Sequence, residues 1–258
     1  MERPIMGNSP TILDHPIVSS RYFFPRREPL SDPYWVEAAD GSRLACHYLT
    51  VNPGAKTLIY FHGNGEVVAD YLPDFPAWLA QAGCNVLLAE YRGYGMSTGT
   101  PALAGMLEDV SRIINSLPTP ERKIVLFGRS IGSLYALHGV YRHPQIAGLI
   151  IESGVADLTQ RFFHRVAAEE LGVSETAVVD ELKKYFDYTQ KFKMFQGKTL
   201  ILHARFDELV GAHHAELLHA AAPEPKQLKI FDRGGHNDIF YRNRAEYMQL
   251  VEEFVKAV

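Results

Sequence analysis

Long apolar runs are missing from this 258-residue sequence. No stretch approaches the ~18 consecutive apolar residues that a membrane helix requires, so no integral membrane segment is expected. The opening stretch MERPIMGNSPTILDHPIVSS carries prolines and charges where a secretory leader needs an unbroken apolar core. Cysteine is scarce: the chain has 2, Cys46 and Cys84, with no CxxC or metal spacing. That excludes a disulfide framework and points to two reduced, buried thiols in a cytoplasmic protein. There is no HExxH or comparable metal motif. A strong charge of one sign is absent too, because the formal net charge is −4. Nothing electrostatic therefore recommends nucleic acid or an anionic membrane as partner.

What is present is an ordinary globular composition, 47% apolar and 22% charged, in a chain long enough for one large core. A single domain over 1–258 is the expectation. Its first ~30 residues are Pro-rich and read as an irregular arm laid over the domain. YWVEAA (34–39) and LACHYLT (44–50) read as a hairpin around Asp40-Gly41. Then come six short apolar runs: TLIYF (57–61), NVLLAEY (85–91), KIVLFG (123–128), AGLIIES (147–153), KTLILHA (198–204) and QLKIFD (227–232). They are continuously apolar, as parallel strands covered on both faces must be. Helical patterns at roughly 69–82, 102–116, 131–142, 211–222 and 238–257 separate them. The fold class is α/β, a mostly parallel central sheet flanked by helices, with ligands expected beyond the carboxyl ends of the strands. The stretch 155–197 is longer than a crossover needs and reads as a small helical lid or cap.

Strand KIVLF runs into Gly128-Arg129-Ser130-Ile131-Gly132 and then into a helical pattern. Strand, GxSxG, helix is the nucleophile elbow, whose tight turn presents the serine Oγ above the sheet. GxSxG alone is a weak signal; its position between strand and helix is what makes it informative. FHGNGE (61–66) ends another predicted strand and supplies the second half of an oxyanion hole. The expected donors are the N–H groups of Asn64 and Ile131, with Gly63 and Gly65 letting backbone approach the substrate. His62 reads as a hydrogen-bonding residue of this loop rather than a base. HARFDELV places Asp207 just after a strand as the orienting acid. Glu208 beside it is a lesser alternative, and Glu152, also at a strand end, suits a structural role better. Among 11 histidines, His203, His213, His214 and His219 fall in strand and helix patterns and read as packing or surface residues. His236 instead sits in the turn FDRGGHND after the last strand. The order Ser130, Asp207, His236 is that of a serine hydrolase on such a sheet.

The blocks YFHGNGE, EYRGYGMSTGTP, FGRSIGS, IIESG, HARFDELV and GGHND span about 57 to 240. In them the chain resembles the α/β-hydrolase superfamily, and more closely its subgroup with an HGN oxyanion loop. That resemblance implies a serine esterase, and the subgroup includes acyl-protein thioesterases. Depalmitoylating members rely on a cysteine-rich acylated N-terminal segment, whereas this chain has no cysteine before Cys46, which favours a small ester or thioester substrate. The implied chemistry needs no metal or organic cofactor: His236 takes the Ser130 proton, and an acyl-enzyme forms and is hydrolysed. Activity should fall as pH drops through the ordinary histidine range near ~6.5. An aspartate at 130 would be needed for a dehalogenase or epoxide hydrolase. An amidase or peptidase with the same residues, and a ligand-binding protein without turnover, are the remaining alternatives. Tyr91 and Tyr94 of the RGYGMS loop could line a pocket or pack. Phe162, Phe163, Phe186, Tyr188 and Phe192 could line an acyl site, though packing the lid onto the core is the expectation for most of them.

Overall fold

A computed structural model describes residues 11–258; the first ten residues of the Pro-rich arm lie outside the described part. The strands are β1 (Tyr34–Glu37), β2 (Arg43–Leu49), β3 (Thr57–Phe61), β4 (Asn85–Ala89), β5 (Ile124–Arg129), β6 (Gly148–Glu152), β7 (Lys198–Ala204) and β8 (Lys226–Phe231). They form one sheet in the order β1-β2-β4-β3-β5-β6-β7-β8. β1 and β2 pair antiparallel across the Asp40-Gly41 turn, β2 pairs antiparallel with β4, and every later pairing is parallel. The continuous apolar runs are explained by burial on both faces. Ile59, Phe61, Leu126 and Ile151 enter one core with helices α3 (Met106–Asn115) and α4 (Gly132–Arg142). Leu58, Tyr60, Phe127 and Ile150, the alternate positions, enter a second core with α2 (Asp74–Leu79) and α9 (Ile239–Ala257).

Two expected helices come out differently. The pattern at 69–82 is broken into a 3-10 turn (Val68–Tyr71), α2 and a second 3-10 turn (Ala80–Ala82). Leu72 is extended because it precedes Pro73, and Pro73 has no N–H to continue a helix. The pattern at 102–116 narrows to α3, whose start is organised from a distance: Asp14 Oδ1 accepts from the N–H groups of Ala104 and Gly105 at 2.8 and 3.0 Å. The arm is also more regular than its prolines suggest. A 3-10 turn (Ile12–Asp14) leads to α1 (Pro16–Tyr22), with Pro16 at the first helical position, where a missing N–H does no harm.

Residues 155–197 hold α5 (Thr159–Phe163), α6 (Glu175–Phe186) and α7 (Tyr188–Phe192). Ser174 caps α6 and Asp187 caps α7 through their side chains. Phe162, Phe186 and Phe192 are buried in the first core, and Phe163 and Tyr188 pack against it. α7 leans on α4 and on α8 (His213–Ala221). At that seam Lys191 Nζ lies 2.8 Å from His138 Nδ1, both side chains buried. Burial drives the lysine down to about 7 and the histidine well below its usual range. The folded protein prefers a neutral Lys191 while the unfolded chain holds it charged up to ~10.4, so stability should rise with pH from about 7 to about 10.4. Below that window the full penalty applies. Lys191→Met should therefore stabilise the protein by on the order of 2–4 kcal/mol at pH 7 and flatten that rise. Urea unfolding at pH 6, 7.5 and 9 checks this, and a destabilised variant with an unchanged slope would contradict it.

Candidate active site

β5 delivers Arg129 and Ser130 to its carboxyl end, and α4 starts two residues later. Ser130 has φ +53°, a left-handed conformation that a non-glycine residue adopts only under local constraint. The constraint comes from both sides. Ser130 N–H donates to Glu152 O at 2.9 Å, and its carbonyl accepts from Ser133 Oγ at 2.6 Å. The two motif glycines are sterically required: a Cβ at Gly128 would lie 2.5 Å from Gly132 O, and one at Gly132 would strike the carbonyl oxygen of Phe61.

His236 reaches Ser130 from the loop after β8, with Nε2 2.9 Å from Oγ. Its Nδ1 lies 2.8 Å from Asp207 Oδ2 and 3.0 Å from Oδ1. Asp207 is held in turn, because Oδ1 accepts from the N–H groups of Leu209 and Val210 at 3.0 and 2.7 Å. Burial alone would raise this carboxyl, but the hydrogen bond and charge of His236, with the Val210 N–H, outweigh it and hold Asp207 below its ordinary value. His203 lies under the pair, 3.5 Å from Asp207 Oδ2, and its Nε2 bonds Val210 O at 2.7 Å. Burial keeps its imidazole below the usual range, so it packs as a neutral ring. Glu208 is exposed, its carboxylate lying toward Gly235.

Sequence reasoning did not single out the cluster behind the elbow. Arg129, the variable residue inside GxSxG, is buried, with Nη1 2.5 Å from Glu66 Oε1 and Nε 3.0 Å from Glu152 Oε1. Its Nη2 donates to His236 O at 3.0 Å. Glu66 also accepts from Gly63 N–H at 2.6 Å, and Glu152 accepts from the Tyr247 hydroxyl. One guanidinium thus ties together the ends of β5 and β6, the loop after β3 and the backbone of His236. Burial opposes its charge, but Glu66 and Glu152 overcome that and raise its pKa. The signal available in sequence was a cation and two anions at separate strand ends, whose meeting only the sheet order reveals.

Asn64, Ser130 and Ile131 line a small cavity of about 30 Å³, room for about one water. Tyr22, Leu134, Val155, Leu158, Arg161 and Arg165 complete its wall. Backbone N–H groups of Asn64 and Ile131 have no hydrogen-bond partner among the described residues. Gly63 and Gly65 lie outside this lining. Gly63 presents its open side to Arg129 and Glu66, and Gly65, at φ +82°, turns the loop. The Asn64 side chain holds the arm, donating to Tyr22 O at 2.5 Å and accepting from the Tyr94 hydroxyl at 2.8 Å. His62 is buried, with Nδ1 2.8 Å from Gly63 O and Nε2 2.8 Å from Glu90 Oε1. Tyr91 bonds the His62 carbonyl and Tyr94 bonds the Phe24 N–H, so both tyrosines brace this region. Cys46 and Cys84 are buried free thiols, pushed up by burial to about 12 and about 11. A larger cavity of about 420 Å³ lies against Arg129, Glu66, Trp78 and Phe240, and Ser130 is not in its wall.

An eight-stranded, mostly parallel sheet with a serine at the β5 elbow defines an α/β hydrolase. Residues 53–182 match the family described as Hydrolase_4, serine aminopeptidase S33. The chain is 30% identical over 226 residues to the uncharacterized protein YfhR of Escherichia coli O157:H7, covering 81% of this chain and 76% of that one. It belongs to the Hydrolase_4 family of the α/β-hydrolase superfamily. Alpha/beta hydrolase domain-containing protein 17C of Xenopus laevis is 25% identical over 225 residues, 83% of this chain and 66% of its own length. Among solved structures, an esterase from Pyrococcus furiosus superposes with TM-score 0.70 at 18% identity, covering 90% of this chain and 98% of that one. The expected fold class, a mostly parallel sheet flanked by helices, is therefore met.

Proposed function

We propose that the protein is a serine hydrolase cleaving a carboxylic ester or thioester. Ser130 is its nucleophile, His236 its general base and acid, and Asp207 the acid that orients the imidazole. The observation that carries this is the unbroken chain Ser130 Oγ, His236 Nε2, His236 Nδ1, Asp207 at 2.9 and 2.8 Å. As Oγ attacks the carbonyl carbon, its proton passes to Nε2, and Asp207 stabilises the imidazolium. The substrate oxygen gathers negative charge beside the free N–H groups of Asn64 and Ile131, which need no reorganisation to meet it. His236 then protonates the leaving oxygen or sulfur, and water repeats the cycle on the acyl-enzyme.

The family's description names an aminopeptidase, and the same residues could cleave an amide. A peptide N-terminus is an ammonium group, however, and the wall around Ser130 carries two arginines and no carboxylate. That electrostatic mismatch favours esters and thioesters. The test is hydrolysis of 4-nitrophenyl esters from acetate to palmitate, with covalent labelling by a fluorophosphonate. We expect turnover, and a label that peptide mapping assigns to Ser130. No turnover and no label on an intact, folded protein would sink the reading.

A further inference from the structure

The wall around Ser130 contains two cations that the proposed chemistry does not use. Arg161 sits in α5 and Arg165 just beyond it, and both line the cavity whose wall also contains Ser130, Asn64 and Ile131. Neither is neutralised by a carboxylate among the described residues. Arg161 donates to Leu209 O, a neutral carbonyl. Arg165 donates to Arg21 O at 3.2 Å and lies 5.8 Å from the Tyr22 ring and 5.0 Å from that of Phe24. The acid on this rim, Glu170, is taken by Arg21 in a two-pronged pair at 2.5 Å. Asp157, close in sequence, caps Thr159 N–H at 2.8 Å and lines a different cavity.

This pattern contrasts with the other arginine at the site. Arg129 is fully compensated by Glu66 and Glu152 and serves the scaffold. Two guanidinium groups stand uncompensated in one wall, Arg161 against a neutral carbonyl and Arg165 against a neutral carbonyl and two aromatic rings, and such groups attract an anion. Their cavity is the one that contains the nucleophile, so an anion bound there belongs to the reacting molecule.

Resting on the serine hydrolase reading, we infer that Arg161 and Arg165 are specificity-determining residues that select an anionic substrate. It would be an ester or thioester carrying a carboxylate or phosphate close to the scissile carbonyl. The guanidinium forks bind that group before and during reaction alike, so they act mainly on KM. Because the pair is partly open to water, its attraction weakens with salt.

The experiment compares matched esters. On the acyl side, mono-4-nitrophenyl glutarate is set against 4-nitrophenyl valerate; on the leaving-group side, 4-acetoxybenzoate is set against phenyl acetate. Each pair is measured with the wild type, the double variant Arg161→Gln/Arg165→Gln and the charge-keeping Arg161→Lys/Arg165→Lys. The expected result is a wild-type preference in kcat/KM for the anionic member of at least one pair. That preference should fall about 10- to 100-fold in the Gln variant, chiefly through KM, and largely survive in the Lys variant. Added NaCl should erode it in the wild type. The responding pair tells which side of the scissile bond bears the anion. A wild type that prefers the neutral partner in both pairs, or an equal preference in wild type and Gln variant, overturns the inference while leaving the hydrolase reading intact. Fluorophosphonate labelling separates the two ideas without turnover. Glutarate should slow labelling of Ser130 in the wild type and not in the Gln variant, and a labelled Ser130 indifferent to glutarate counts against the anion site. An unlabelled, inactive wild type removes the hydrolase reading and this one with it.

Discussion

Ser130→Ala should reduce kcat for 4-nitrophenyl esters by about 10⁴- to 10⁶-fold, leaving only what the oxyanion donors and binding supply. Oγ is the atom 2.9 Å from His236 Nε2, and among the described residues no other hydroxyl hydrogen-bonds that nitrogen. Its removal should barely disturb folding. The backbone at 130 is held by Glu152 O and by Ser133 Oγ, not by the Ser130 hydroxyl, and alanine meets the same φ of +53° that serine already bears. A melting temperature within ~3 °C of wild type is therefore expected beside the lost activity. An active variant, within tenfold of the wild-type rate, would mean that the nucleophile has been misassigned.

Asp207→Asn should cost about 10⁴-fold in kcat with little change in KM. Here the shape is preserved and the proton position is not. The carboxylate accepts from His236 Nδ1 at 2.8 Å while its other oxygen is occupied by the N–H groups of Leu209 and Val210. Those two N–H donors would keep the amide oxygen of an asparagine and so turn its NH₂ toward His236. Nδ1 must then accept, which leaves the proton on Nε2, facing Ser130 and unable to take the hydroxyl proton. Glu208 offers no rescue from its exposed position toward Gly235. Kinetics of the purified variant decide the matter; a loss below tenfold would show that the imidazole is oriented by something else, with the buried His203 and its bond to Val210 O the first group to inspect.

Much of this could be read directly from residues. Strands β3 to β7 follow continuous apolar runs because both sheet faces are covered, and the hairpin follows from Asp40-Gly41 between two β patterns. Local chemistry also marked Ser130, since its two flanking motif glycines leave the turn between strand and helix free of side chains that would collide there. The positions of Asp207 and His236 were legible from chain order and from their place after strands. Helix interruption was harder: the apolar pattern at 69–82 looks helical, and Pro73 overrides it.

Partners distant in the chain were another matter. Nothing in a linear reading says that Asp14 organises the start of α3, or that Asn64 grips the backbone of Tyr22. Arg129, Glu66 and Glu152 lie on three different elements, and they meet because β3, β5 and β6 are neighbours in the sheet. The same holds for Arg161 and Arg165, which local pattern placed in a lid and no more. The sequence by itself determined most element types, the parallel sheet and the candidate residues for acyl chemistry, because those depend on short-range periodicity and turn geometry. Which charges are compensated and which face Ser130 was decided only by the tertiary structure, because electrostatic pairing depends on distances that sheet order and helix packing create.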